Sequence, residues 1–151
     1  MEGVSTHWRL AGCPWENSLM PEPLITYRGV VYPWHCDQMG HMNVMWYVGK
    51  FDEATWQLLA AIGATPSRLQ ERQFGLVAVE QHIHYKRELR SGDLLTIRSS
   101  VLDCKEKSLR FTHEMRNDQT GELAATMLVV GVCIDMVTRN EVPPFAVPMP
   151  M

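Results

Sequence analysis

The chain is 151 residues long, 46% hydrophobic, and carries a formal net charge of −3. That length fits one domain with enough apolar material for a real core. The slight acidic excess argues against a general nucleic-acid binder, which shows a basic surplus, but leaves room for local basic pockets around a phosphorylated tail.

Residues 1–23 lack sustained periodicity and contain Pro14, Pro21 and Pro23. They read as an irregular N-terminal arm, with Trp8 and Trp15 docking on the body or on a partner subunit, or else as a disordered extension; Met20 is an alternative start. The domain proper is expected over 24–142. Residues 24–32 are rich in β-branched and aromatic side chains and predict a first strand, ended by Pro33. After a turn at Gly40, Val44, Tyr47, Val48, Phe51, Thr55, Leu58, Leu59 and Ile62 recur at three- and four-residue steps, the stripe of a long helix. Asn43 suits its N-cap and Gly63 its C-terminal stop. Gly49 lowers helix propensity within it and predicts close packing against a strand.

Residues 66–73 read as a connecting loop or short helical turn. Four strands are expected at 75–89, 94–104, 108–116 and 123–136. Their breaks hold turn residues: Ser91-Gly92-Asp93, Lys105-Glu106-Lys107, and Asn117-Asp118-Gln119-Thr120-Gly121. One strand, a long helix and four meandering strands is an α+β order. A curved antiparallel five-stranded sheet wrapped around the helix satisfies it. Residues 143–151 form a Pro-rich C-terminal tail.

Cys13, Cys36, Cys104 and Cys133 are scattered, without a Cys-x-x-Cys pair; a domain of this size does not need disulfides. No basic start followed by an apolar run opens the chain, so no signal peptide is expected. The longest apolar run, 123–134, is interrupted by Thr126 and too short to span a bilayer. The expectation is a reduced, cytoplasmic protein with no membrane partner.

The chemistry concentrates in His35-Cys36-Asp37-Gln38-Met39-Gly40-His41-Met42-Asn43. Here a carboxylate, a glycine turn, an imidazole and a carboxamide precede a helix start, where unpaired N–H groups and the positive end of the peptide dipoles lie. Such donors polarise a carbonyl oxygen while the carboxylate attacks it or activates a water. From pattern alone, Asp37 reads equally as this group or as a turn residue bonding local backbone. Asn43 is at least a cap. His41 orients the loop or assists proton transfer, the first reading preferred. The Val44 amide is the candidate oxyanion donor, its side chain packing only.

Other residues carry paired readings. His35, Cys36, His41, His82 and His84 suggest a metal, yet no compact set has zinc spacing; His82 and His84 fit a sheet face or subunit contact better. Glu80 shares that face and either lines the site opposite Asp37 or sits at a surface or interface. Lys86, Arg87 and Arg90, with Lys105, Lys107 and Arg110 near the next turn, could bind the phosphates of a ligand or be solvated strand ends. Trp34, Trp46 and Trp56 are candidates for an acyl pocket. Trp46 and Trp56 lie off the apolar stripe, so at least one is expected to meet substrate or a neighbouring subunit.

"HCDQMGHMNVMWYVGKFDEATW" resembles the Asp-x-Asp-x-x-Gly-His-x-Asn signature of the hot-dog acyl-CoA thioesterases, the hydroxybenzoyl-CoA thioesterase-like family. "QHIHYKRELRSGDLL" is similar to that family's central strand, turn and Gly-Asp corner. The likeness runs from about residue 25 to 142. His35 stands where the family usually has its first Asp, and Val44 replaces the usual second Asn; Asp37 matches the second Asp, on which the family's catalysis rests. The resemblance implies the hot-dog fold and an acyl-CoA thioesterase with Asp37 as nucleophile or general base. His41, Asn43 and Val44 complete its site, and no cofactor is needed beyond the coenzyme A of the substrate. It further implies a homodimer or homotetramer with interfacial sites. The rivals are a hot-dog enoyl-thioester hydratase or dehydratase, and a non-catalytic acyl-CoA-binding module.

Overall fold

The computed structural model describes residues 22–105 and 107–142. Trp8, Cys13, Trp15 and most of the arm, Glu106, and the tail from Pro143 lie outside the described residues. β1 (Leu24–Val30) leads through a 3-10 turn (Pro33–His35) to the long helix α1 (Val44–Ala61) and a short helix α2 (Pro66–Glu71). β2 (Phe74–Tyr85), β3 (Leu94–Cys104), β4 (Ser108–Asn117), β5 (Leu123–Asp135) and the two-residue β6 (Glu141–Val142) follow. Among the described residues they make one antiparallel sheet of order β1-β3-β4-β5-β2, with β6 on β5. The expected helix inside a curved sheet is present, with β6 as an addition to the five strands read from the sequence.

Two-residue alternation along β4 and β5 turns Leu109, Phe111, Met115, Met127 and Val129 to one buried face. Against this layer α1 sets Tyr47, Phe51, Ala54, Leu58 and Leu59, all buried. Phe51 is fully enclosed, so truncating it to Ala would cost about 3–5 kcal/mol. Asn43 caps the helix, its Oδ1 accepting from the Met45 N–H at 3.0 Å. Gly63, at φ +96°, ends it, in the left-handed region that glycine enters without steric cost.

Three expectations need correction. The helix buries Lys50 and Ala54, while Val44 and Val48 are exposed in the single chain, because the sheet covers the Tyr47–Phe51–Ala54–Leu58 line and leaves the N-terminal turn open. Gly49 packs against no strand: a Cβ there would meet nothing within 4 Å. β2 stops at Tyr85, four residues early. The N–H groups of Lys86 and Arg87 both converge on the Ala124 carbonyl (2.8 and 3.1 Å), breaking the ladder. The chain then bends so that Leu89 is buried beneath the loop before α1.

Candidate active site

The loop between the 3-10 turn and α1 is a small hairpin. Cys36 and Met42 pair across it, the Asp37 N–H donates to the His41 carbonyl (3.1 Å), and the Gly40 N–H returns to the Asp37 carbonyl (3.0 Å). Gly40 turns it at φ +80°. The base is tied down twice: Met42 N–H to the Leu89 carbonyl (2.7 Å) and Asn43 N–H to the His35 carbonyl (2.9 Å). Asp37 is thus carried on a short, fully bonded loop directly ahead of the helix.

Two donors hold its carboxylate. Asn43 Nδ2 donates to Oδ2 and the Met39 N–H to Oδ1, each at 2.9 Å. First the Asn43 bond and then the Met39 bond hold the Asp37 carboxyl below its ordinary range, so it is ionised at neutral pH. Asn43 does two jobs at once: its carbonyl oxygen caps α1 and its amide nitrogen grips Asp37. The next residue, Val44, begins the helix with an N–H that meets no acceptor among the described residues.

His41 lies between two carboxylates. Its Nδ1 is 3.0 Å from Glu88 Oε1, and its Nε2 is 3.8 Å from Asp37 Oδ1. Glu88 also accepts from Arg90 at 3.3 Å. The bond from His41, then that from Arg90, lower the Glu88 pKa. Sequence reasoning missed Glu88, which sits inside the basic run Lys86-Arg87-Glu88-Leu89-Arg90; the sole signal was an acid within a cluster read for its positive charge.

Two cavities flank the hairpin. One, of about 340 Å³, is lined by His41, Met42, Val44, Tyr47, Tyr85, Lys86, Arg87 and Glu88. Lys86 and Arg87 are therefore brought beside the loop, whereas Arg90 is drawn to Glu88 and does not line the cavity. Arg110 is bound to Asp103 on the neighbouring strand, and neither it, Lys105 nor Lys107 borders either cavity. The second cavity, of about 450 Å³, collects Tyr27, Tyr32, Trp34, His35, Trp46 and Lys50. Trp34 and Trp46 both line it. Trp56 does not: it borders a separate cavity with Leu69, Phe74 and Leu76.

The remaining histidines divide by burial. His82 and Glu80 pair at 2.5 Å on the exposed face of β2, and neither they nor Asp37 line the two cavities that flank the hairpin. His82 and His84 share a groove, as their spacing predicts. Among the described residues no three His, Cys, Asp or Glu side chains converge to hold a metal ion, and no helix is long and apolar enough to cross a membrane.

Comparisons with known proteins agree with the fold. Residues 31–150 match the Thioesterase-like superfamily. The betainyl-CoA thioesterase of Pseudomonas aeruginosa is 27% identical over 106 residues, covering 70% of this chain and 67% of that protein. The long-chain acyl-CoA thioesterase FadM of Escherichia coli is 28% identical over 107 residues, covering 71% and 80%. Among solved structures, SAV2348 of Staphylococcus aureus, determined in complex with CoA, superposes with a TM-score of 0.75 at 22% identity, covering 82% of this chain and 80% of that one. The chain belongs to the Thioesterase-like superfamily, a family of hot-dog thioester hydrolases.

Proposed function

We propose that the protein hydrolyses an acyl-CoA to the free acid and coenzyme A, with Asp37 as the reacting carboxylate. One observation carries the reading: an ionised carboxylate, gripped by Asn43 and Met39, stands immediately ahead of a helix whose first N–H, on Val44, has no acceptor among the described residues. In the general-base route Asp37 takes a proton from water as the water oxygen bonds to the thioester carbon. Charge collects on the carbonyl oxygen, where the Val44 N–H and the helix start stabilise it. The carbon–sulfur bond then breaks, the electron pair leaves on sulfur, and the proton returns to the thiolate. In the nucleophilic route Asp37 itself bonds to the thioester carbon, the carbon–sulfur bond breaks with its electron pair leaving on sulfur, and water then cleaves the anhydride, its proton going to the thiolate. His41 orients the loop through Glu88 in both routes. The relatives named for betainyl-CoA and long-chain acyl-CoA support acyl-CoA as the substrate class.

The cavity beside His41 is the proposed entry of the coenzyme A tail, with Lys86 and Arg87 meeting its phosphates by charge-assisted bonds. Arg90 acts there through Glu88. The catalytic unit is residues 24–142, acting in the cytoplasm with no cofactor besides the coenzyme A of its substrate, so chelators leave the rate unchanged. A homodimer or homotetramer belongs to the same proposal. β2 lies at the sheet edge and exposes Val77, Val79 and Tyr85, an edge that pairing with a second copy would cover. Sedimentation at micromolar concentration is expected to show no dominant monomer; a fully active monomer would remove the interfacial site. The central test is thiol release from a panel of acyl-CoAs. Loss of enoyl-CoA absorbance without thiol release would move the chain to a hydratase, and binding without turnover would make it a carrier.

A further inference from the structure

The cavity on the α1–β1 side has a construction of its own. Lys50 lies on the inner side of α1, 5% exposed. Its Nζ donates to the Tyr27 hydroxyl at 2.9 Å and sits 5.1 Å from the centre of the Tyr27 ring. No carboxylate pairs with it among the described residues. A phenol and a ring face are neutral partners, and an enclosed ammonium without a counter-charge is costly. One of its three N–H donors is engaged by Tyr27, and Lys50 is among the residues that line the cavity.

The walls are cut to allow this. A Cβ on Gly29 would strike the Tyr27 ring and hydroxyl at 2.6 Å, so glycine there lets the ring lie where it meets Lys50. A Cβ on Gly49 would meet nothing, leaving the floor between Trp46 and Lys50 open. The aromatic faces are largely spent on one another. Tyr32 and Trp34 stack at 4.4 Å, Trp46 lies 4.3 Å from His35, and Tyr27 already faces an ammonium. This disfavours a cage for a cationic ligand, for which free ring faces are required. Glu53 also borders the cavity, but it is exposed and screened by water, whereas Lys50 is not. His35, its pKa lowered by burial and then by the Lys50 charge, is neutral at pH 7 and adds no competing cation.

We infer that this cavity receives the acyl group, and that Lys50 selects acyl groups ending in a carboxylate. The inference rests on the thioesterase reading above. Between Val44, at the proposed carbonyl site, and Lys50 the helix rises roughly 9 Å. A six-carbon dicarboxylic acyl group, with the reach of the lysine, spans that distance. Lys50 is thus a specificity residue for the distal end of the substrate, separate from the groups around Asp37.

The test compares adipyl-CoA with hexanoyl-CoA, which differ in a terminal carboxylate against a methyl, and with a chain of equal length ending in trimethylammonium. Wild type is expected to prefer adipyl-CoA in kcat/KM by roughly 10- to 100-fold, the range of a hydrogen bond to a charged group. Lys50→Met keeps the apolar length and removes the charge; it is expected to fold, to retain hexanoyl-CoA hydrolysis and to lose the preference. A wild-type preference for the methyl or trimethylammonium chain overturns the inference, as does a preference that survives in Lys50→Met. If no acyl-CoA releases thiol, the hydrolase reading fails by itself. Quenching of tryptophan fluorescence by adipate and not hexanoate, absent in Lys50→Met, then still supports the Lys50 site, and equal or no quenching overturns it.

Discussion

Two polar networks in this molecule are each built around a histidine and arrive at opposite ends. In the core, Thr26 and Ser99 hydroxyls meet at 2.7 Å, Ser99 reaches His113 Nδ1 at 2.5 Å, and His113 Nε2 reaches Thr55 at 2.8 Å. Thr55 donates its own proton to the Phe51 carbonyl, so its oxygen accepts from Nε2–H and leaves Nδ1 to accept from Ser99. Both ring nitrogens are satisfied, and burial pushes the His113 pKa down to about 4. At the helix start, Asp37, His41, Asn43 and Glu88 are also linked, yet the Val44 N–H and the solvent side of Asp37 remain open. A closed network specifies packing; an open one can act on a ligand. That distinction, and not the presence of histidine, separates structure from site here.

The sharpest way to break the comparison is Asp37→Asn. The amide keeps the shape and its oxygen still accepts from Met39, while its –NH2 faces the Asn43 donor and gives up that bond, so the hairpin holds with a modest fall in melting temperature. What goes is the charge and the basic oxygen, and turnover is expected to fall by roughly 10²- to 10⁴-fold. KM should move little if binding lies, as proposed, with the coenzyme A tail and the acyl cavity. A folded variant hydrolysing at the wild-type rate would place the open network among the merely structural ones.

His113 gives the converse result. Its folded pKa lies below its ordinary value of 6.5, at about 4, so on acidification the unfolded chain takes up the proton first. Its contribution is fully present above pH 6.5 and is lost as pH falls from there to about 4. The shift corresponds to about 3 kcal/mol. Urea denaturation across that window should show the loss in wild type and a smaller one in His113→Gln, whose stability is lower at neutral pH. Loss of turnover in folded His113→Gln at pH 7 would show instead that the core network is wired to the site.

The two regions also differ in how far the sequence discloses them. Asp37, Gly40, Asn43 and Val44 are legible because a turn, a cap and a helix start are local events within eight residues. Gly63 and the β3 and β4 starts are legible for the same reason. Glu88 is not, since it reaches His41 from 47 residues away. Lys50 lies off the apolar stripe that the sequence discloses; its burial depends on Tyr27 and Gly29 from another element. The early end of β2 is set by Ala124, a partner no local pattern announces.

A smaller effect sharpens the recognition side of the open region. Truncating Lys86 and Arg87 together to Ala is expected to raise KM about tenfold, leave kcat unchanged, and flatten the dependence of KM on salt. Arg90→Ala alone should do less, since its guanidinium is held by Glu88. A fall in kcat with unchanged KM would assign the basic pair to loop support.

The finest separation is within Asn43, whose two ends do different work. Asn43→Ser keeps an oxygen able to cap α1, so helix stability should stay within a few tenths of a kcal/mol, whereas Asn43→Ala gives up about 1 kcal/mol of capping. Both variants remove the amide that donates to Oδ2, which is the largest cause holding the Asp37 pKa down. With that donor gone the carboxyl moves back towards its ordinary value, and the acid limb of kcat/KM should shift to higher pH in both variants. Activity at neutral pH falls only few-fold, because Asp37 stays ionised there. Equal acid limbs in wild type and Asn43→Ser would show that the amide serves the helix alone. A shifted limb with an intact cap would show that one side chain starts the helix and sets the charge beside it.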